Sequence, residues 1–184
     1  MFLLSLVIFV SKYKMFTSTY NLAEPILKKY NFTAVQFVIN ELLNVKTPTF
    51  SEQRYAYMGY DYVNGYSRDI IEIGSHTYHM HHQLPKVYAK INSMTYDEIL
   101  DDFKKSKEEL NTKYLSYPYG AITDDGVKAA KDAGYDCGFI LNDSMTYQEE
   151  DNYRISRISA MESLEVFKGI FETDKYRKKS IGLF

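Results

Sequence analysis

The sequence predicts an α/β fold with a parallel sheet that is either open or closed into a barrel. Short apolar runs typical of buried strands alternate along the chain with amphipathic segments typical of helices. Helix capping signals separate several of these segments, and we see no internal repeat, low-complexity tract or linker. A length of 184 residues fits a single domain over residues 1–184.

The first apolar run, Phe2–Val10, is predicted to be a buried strand. Nine residues are too few to span a bilayer, which takes roughly 20, and neither a basic start nor a small-residue cleavage site is visible. A degenerate signal or anchor segment is the alternative.

The remaining elements follow from periodicity and from capping residues. Thr95 and Glu98 form a capping box, and Asn31 and Gly134 are typical of helix C-termini. The predicted helices are Leu22–Tyr30, Thr95 to about Asn111, Thr123–Gly134 and Met161–Phe171. The predicted strands are Phe32–Ile39, Ile70–Ser75, Tyr114–Tyr117, Cys137–Leu141 and Arg154–Ile158.

Composition and charge limit the kinds of molecule that the protein is expected to bind. A net charge of −2 gives no reason to expect nucleic acid or an anionic membrane surface, and no protein partner is evident. The lone Cys137 rules out an intramolecular disulfide, so cysteine usage does not reveal the compartment. The 18 tyrosines suit a saccharide-binding cleft, although a compositional habit of the genome explains them more simply.

All four histidines fall between His76 and His82, directly after a predicted strand. Imidazole is the commonest protein ligand of transition metals, and ligands bind at the C-terminal ends of parallel strands. The cluster therefore predicts a metal site at that end of the sheet, with solvated surface histidines as the alternative. The turn from Tyr117 to Gly120 falls at the same end.

These segments together resemble the polysaccharide deacetylases, the carbohydrate esterase family 4 or NodB-homology domain. The resemblance rests on EIGSHTYHMHH, then YLSYPYG, then a helix and GYDCGF, and it extends over roughly residues 13 to 173. It implies a distorted, incomplete (β/α) barrel of the glycoside hydrolase/deacetylase type. It also implies hydrolysis of acetamide groups on an N-acetylglucosamine-type polysaccharide at the cell surface.

The resemblance assigns roles to particular residues. His76 and His81 match the two histidine ligands of a divalent metal, typically zinc. Tyr119 matches the position whose backbone N–H faces the oxyanion, and Tyr117, Pro118 and Tyr119 match a substrate-binding segment. His79 is expected to be a neighbouring group or an opportunistic ligand, and His82 to be solvated.

One departure from the family pattern bears on activity. The family's TFDDGY-type motif aligns with Ile8–Tyr13, so that Val10 stands at the position of the catalytic base and Ser11 at that of the third metal ligand. Valine cannot accept a proton, and a serine hydroxyl is a weaker ligand than a carboxylate. Either the chain has lost this motif, or a shifted reading frame or misplaced start has altered the N-terminus. No histidine follows His82 to act as the family's late general acid, and Asp61 and Asp143 are spare carboxylates.

Two functions follow from this pattern. The first is a metal-dependent polysaccharide deacetylase whose activity in this chain is impaired. The alternative is a non-catalytic relative that binds carbohydrate or protein. The resemblance implies an extracellular or membrane-associated location, although no intact signal peptide is seen.

Overall fold

The computed structural model describes residues 19–43, 58–86, 88–141 and 151–157, together with Glu165 and Lys168. The predicted strand Phe2–Val10 lies outside these residues, as do Val10, Ser11 and Asp143. The predicted helix Met161–Phe171 is described only at Glu165 and Lys168, both of which are helical. None of the described helices is long and apolar enough to cross a membrane.

Five parallel strands form one sheet in sequence order. They are β1 (Ala34–Val38), β2 (Ile71–Ser75), β3 (Tyr114–Ser116), β4 (Cys137–Leu141) and β5 (Ile155–Arg157). Neighbouring strands pair in parallel throughout, and the described sheet does not close on itself. The predicted α/β class and the incomplete barrel are confirmed.

Four α-helices connect or flank these strands. They are α1 (Glu24–Tyr30), α2 (Tyr60–Gly65), α3 (Tyr96–Leu110) and α4 (Asp124–Asp132). A π-helical turn (Thr19–Ala23) leads into α1, and 3₁₀ turns cover Asn40–Leu42, Lys90–Ser93 and Pro118–Gly120. The turn at Pro118–Gly120 falls within the predicted turn from Tyr117 to Gly120, whereas helix α2 and the other short turns were not predicted.

The capping residues read from the sequence form the predicted caps. Thr95 accepts a hydrogen bond from the Glu98 amide, and the Glu98 carboxylate accepts one from the Thr95 amide, so both halves of the capping box are made. Thr123 accepts from the amide of Gly126 at the start of α4. Asn31 ends α1 in the left-handed conformation, with φ of 55°.

The two faces of the sheet bury different side chains. One face carries Ile71, Ile73 and Leu115 toward the helices, where apolar clusters form around Val63 and Phe103. The other face points into the barrel, where the rings of Phe37 and Phe139 lie 5.4 Å apart. A side chain at Gly74 would collide with the Phe37 ring, so this ring occupies the space over Gly74. In folds of this kind ligands bind at the C-terminal ends of the strands, where the histidine loop begins.

Candidate metal and active site

His76 is the first residue after β2 and is held by both neighbouring strands. Its amide donates to the Val38 carbonyl of β1 at 2.7 Å. Its ring Nδ1 lies 2.7 Å from the Ser116 carbonyl at the end of β3. Because a carbonyl can only accept, Nδ1 carries the hydrogen and Nε2 keeps its lone pair. This arrangement orients a histidine for metal ligation.

The surroundings of His76 keep its ring neutral. The pKa of His76 is lowered to about 3, chiefly by burial and also by the nearby His81 and Arg157, against the raising effect of the hydrogen bond to Ser116. The side chain is largely buried, with 9% exposure. At neutral pH the ring is therefore an uncharged base with a free nitrogen, the form that binds a metal ion.

His81, the other predicted metal ligand, lies beside His76. The two ring centroids are 4.6 Å apart. The other side of the His81 ring stacks on Tyr119, with centroids 4.5 Å apart and planes inclined by 29°. The Tyr119 hydroxyl donates to the His81 carbonyl at 3.3 Å. The loop after β2 and the turn after β3 thus meet at this pair.

Hydroxyl groups shape the loop that carries the histidines. The Ser75 hydroxyl accepts a hydrogen bond from the Thr77 amide at 3.1 Å, and the Thr77 hydroxyl accepts one from the Met80 amide at 3.2 Å. Thr77 adopts a left-handed conformation with φ of 76°, which a β-branched residue rarely takes. Met80 is fully buried and anchors the loop from below. The fold therefore imposes one conformation on the segment between His76 and His81.

Asp102 of α3 fixes the same loop from the helix side. Its carboxylate accepts hydrogen bonds from the amides of Tyr78 and His79, both at 2.8 Å. Burial raises the pKa of Asp102, while these two hydrogen bonds lower it. The sequence analysis missed this residue, although it stands among the apolar positions of α3 near Ile99 and Phe103. A carboxylate within an apolar stripe is the signal that could have found it.

His79 and His82 point to a third residue that the sequence analysis also missed. Glu41, in the 3₁₀ turn after β1, contacts His79 Nδ1 through Oε2 and lies 2.9 Å from His82 Nε2 through Oε1. His82 is about half exposed, as expected, but it pairs with this carboxylate. Within the part of the chain that the structure describes, these three form the one group of three potential metal ligands close together. Asp61 does not join this group and is exposed in the first turn of α2.

The turn after β3 contributes one side chain to the site. The Tyr117 side chain is fully buried, and its ring fills the space that a side chain at Gly138 would need. Pro118 is also buried. Tyr119 is partly exposed and has φ of 57°, followed by Gly120 at 71°, where a Cβ would meet the Leu141 carbonyl oxygen at 3.0 Å. Of the predicted substrate-binding residues, only Tyr119 brings a side chain to the histidine pair.

Arg157 places a buried positive charge near the site. It ends β5 with 5% exposure, donates from Nε to the Ile140 carbonyl at 3.2 Å, and lies over the Phe37 ring. Burial lowers its pKa to about 10, which leaves it charged at neutral pH. The sequence analysis treated this residue only as part of a strand.

Comparisons with known proteins identify the family to which the chain is similar. A family model described as polysaccharide deacetylase matches residues 11–138. A poly-β-1,6-N-acetyl-D-glucosamine N-deacetylase of Staphylococcus epidermidis is 32% identical over 145 residues, which cover 76% of this chain and 49% of that protein. The enzyme of the same name from Staphylococcus aureus is 28% identical over 149 residues, with the same coverage. The chain spans about half the length of these curated relatives.

Solved structures show the same fold. A de-N-acetylase from Aggregatibacter actinomycetemcomitans superposes with a TM-score of 0.65 at 22% identity, covering 85% of this chain and 72% of that one. IcaB from Ammonifex degensii gives a TM-score of 0.66 at 18% identity, covering 85% and 68%. With the family model matching well over half of its length, this chain belongs to the polysaccharide deacetylase family.

Proposed function

We propose that this chain is, by descent, a metal-dependent N-deacetylase of a poly-N-acetylglucosamine-type polysaccharide, and that its activity is impaired. The observation that carries the proposal is the pair of His76 and His81, with rings 4.6 Å apart. The names of the staphylococcal relatives support the class of substrate. An extracellular or membrane-associated location would match a cell-surface glycan as substrate.

The residues of the pair fit two positions of a divalent-metal site, for which zinc is our expectation. His76 is neutral, and its hydrogen bond to Ser116 leaves Nε2 available as a ligand. A metal held there would supply Lewis-acid activation of a water molecule and of the acetamide carbonyl. His81 is held in place by its stack on Tyr119. No carboxylate completes this pair among the described residues.

The other residues of the site would bind and orient the sugar. The ring of Tyr119 lies beside His81 and offers an apolar surface with a hydroxyl tip, which suits the face of a pyranose. The backbone N–H of Tyr119 is our candidate donor to the oxyanion, held by the left-handed turn at Tyr119 and Gly120. Tyr117 and Pro118 would support this turn from the core, and any contact they make with substrate would come from the backbone.

Impairment follows from Val10 and Ser11 at the positions of the base and of the third ligand. Loss of a general base typically costs 10²–10⁴ in rate, so we expect activity at least about two orders of magnitude below that of an intact relative. If the site no longer turns over, the chain would retain carbohydrate binding alone, which is the alternative function.

Restoring the two carboxylates tests this proposal. We expect the variant Val10→Asp/Ser11→Asp to release acetate from oligomers of β-1,6-linked N-acetylglucosamine at least about 100-fold faster than the unchanged chain. Adding His76→Ala to that variant should abolish the gain, which serves as the matched control. A rate typical of intact relatives in the unchanged chain would contradict impairment. No gain in a folded double-Asp variant would contradict descent from a working site with this N-terminal register.

A further inference from the structure

We propose that Glu41, His79 and His82 form a second divalent-metal site, of the zinc type, on the outer side of the histidine loop. It is separate from the His76 and His81 pair, because it uses the other two histidines and a carboxylate from a different element. The proposal does not depend on the deacetylase function.

The donor atoms have the right chemistry and spacing. Two imidazole nitrogens and one carboxylate oxygen lie within 4.8 Å of one another. Zinc takes such ligands at about 2.0–2.2 Å, which places two ligand atoms of a tetrahedral ion about 3.4 Å apart. Small rotations of exposed side chains are therefore enough to close the group around an ion. The fourth position would be left to water.

Separate elements bring the ligands together through hydrogen bonds in the backbone. The Glu41 amide donates to the Tyr78 carbonyl at 3.1 Å, and the Asn40 amide donates to the Thr77 carbonyl at 3.3 Å. These bonds fix the turn that carries Glu41 against the histidine loop. The ligand backbone is thus positioned in advance, which lowers the entropic cost of binding.

The opposite side of the loop is fixed as well. Asp102 holds the His79 amide at 2.8 Å, and Lys90 Nζ donates to the His79 carbonyl at 3.2 Å. Both backbone polar groups of His79 are therefore engaged, and its ring is left to face Glu41. The centroids of the His79 and His82 rings lie 5.0 Å apart, and each ring contacts one oxygen of the Glu41 carboxylate.

Exposure allows an ion to reach this group. The side chains of His79, His82 and Glu41 are 58%, 46% and 19% exposed. Two imidazoles and a carboxylate are a ligand set that zinc accepts, whereas no described carboxylate joins the pair of His76 and His81. The alternative is a cluster of hydrogen bonds between one carboxylate and two histidines, with no affinity for metal.

Counting bound zinc by calorimetry, on protein first stripped with a chelator, distinguishes the two. We expect His79→Ala/His82→Ala to bind one zinc ion fewer than the unchanged chain. Glu41→Gln, which keeps the size of the side chain, should weaken that site at least about tenfold. The exposed Glu109→Gln is the matched control and should bind as the unchanged chain does. An unchanged number of ions in His79→Ala/His82→Ala would overturn the proposal.

A second variant separates this site from the proposed active site. His76→Ala/His81→Ala should still bind one zinc ion through Glu41, His79 and His82. Cobalt(II) in this variant should give visible absorption typical of tetrahedral coordination, and Glu41→Gln should remove that absorption. Absence of binding in a folded His76→Ala/His81→Ala protein would overturn the second site. Failure of the deacetylase assay would leave the result of this titration unaffected.

Discussion

His76 links the stability of this fold to pH. Its pKa is about 3 in the folded chain, against an ordinary value of 6.5, with burial as the largest cause. Below pH 6.5 the unfolded chain therefore binds a proton that the folded chain does not bind. The contribution of His76 to the free energy of unfolding should be fully present above pH 6.5. It should fall as the pH drops toward 3, by about 1.4 kcal/mol per pH unit. The total comes to about 4–5 kcal/mol at most.

Urea unfolding of metal-free protein at several pH values measures this effect. Carboxylates also titrate between pH 6.5 and 3. The test therefore compares, between variants, the slope of the unfolding free energy against pH. We expect His76→Gln to flatten the dependence between pH 6.5 and 4. Asn64→Gln, which changes an exposed residue that does not titrate, should leave the slope close to that of the unchanged chain. Identical slopes for all three proteins would show that His76 does not carry the effect.

At the same residue scale, the sequence predicts the histidine pair but not its surroundings. The spacing of five residues between His76 and His81 is local in sequence, so a family motif includes both residues. Their rings lie next to each other in the structure. Glu41 and Asp102 reach the loop from elements distant in sequence. The apolar neighbours of Asp102 in α3 indicate a buried carboxylate but not its partner, and nothing near Glu41 in the sequence signals its contact. The unusual φ of Thr77 arises from the same tertiary bonds and has no local signature.

Among the elements, α3 does more than cover the sheet, since Asp102 ties it to the histidine loop. Asp102→Ala would leave the amides of Tyr78 and His79 without their partner. An unsatisfied donor costs about 1–3 kcal/mol when buried, and water reaches this loop in part, so we expect a loss of about 1–3 kcal/mol overall. The neighbouring Asp101→Ala removes an exposed i,i+4 pair with Lys105 and should cost much less stability than Asp102→Ala.

Chemical denaturation of the two variants checks this difference. In Asp102→Ala the proposed site of Glu41, His79 and His82 should bind zinc more weakly or not at all. In Asp101→Ala the number of bound zinc ions and their affinity should stay unchanged. Equal stabilities of the two variants would mean that the hydrogen bonds of Asp102 do not hold the loop.

The helices with strong end signals were the best predicted elements. Thr95 with Glu98, Thr123 and Asn31 satisfy amides or carbonyls of adjacent residues, so the information lies within one turn of chain. Helix α2 (Tyr60–Gly65) has no such cap and is rich in poor helix formers. The side chain of Val63 in this helix packs in a core formed by elements that are distant in sequence. Tertiary packing therefore determines that helix, and single-sequence reasoning missed it.

For the whole molecule, the described sheet begins at β1, and all five residues of this edge strand are buried. The alternation of buried runs predicts a parallel sheet, but it cannot tell an open sheet from a barrel, since both bury their strands on two faces. The family resemblance resolved that choice in favour of an incomplete barrel. A first strand formed by Phe2–Val10, which lies outside the described residues, is predicted to pair with β1 on the side away from β2.

Hydrogen exchange can test that placement, because backbone groups of a strand alternate in direction. The Ala34 amide donates to the Ile70 carbonyl of the β2 side. The backbone amides of Ala34, Gln36 and Val38 therefore point toward β2, and those of Val35 and Phe37 point away from it. If Phe2–Val10 pairs with β1, the amides of Val35 and Phe37 should be protected in the full chain. Deletion of residues 1–10 should then remove the protection of these two amides from exchange, while the amides of Gln36 and Val38 stay protected.

Fast exchange at Val35 and Phe37 in the full chain would mean that the N-terminal segment does not occupy the first-strand position. Val10 and Ser11 would then stand far from His76, and restoring their carboxylates could not restore activity.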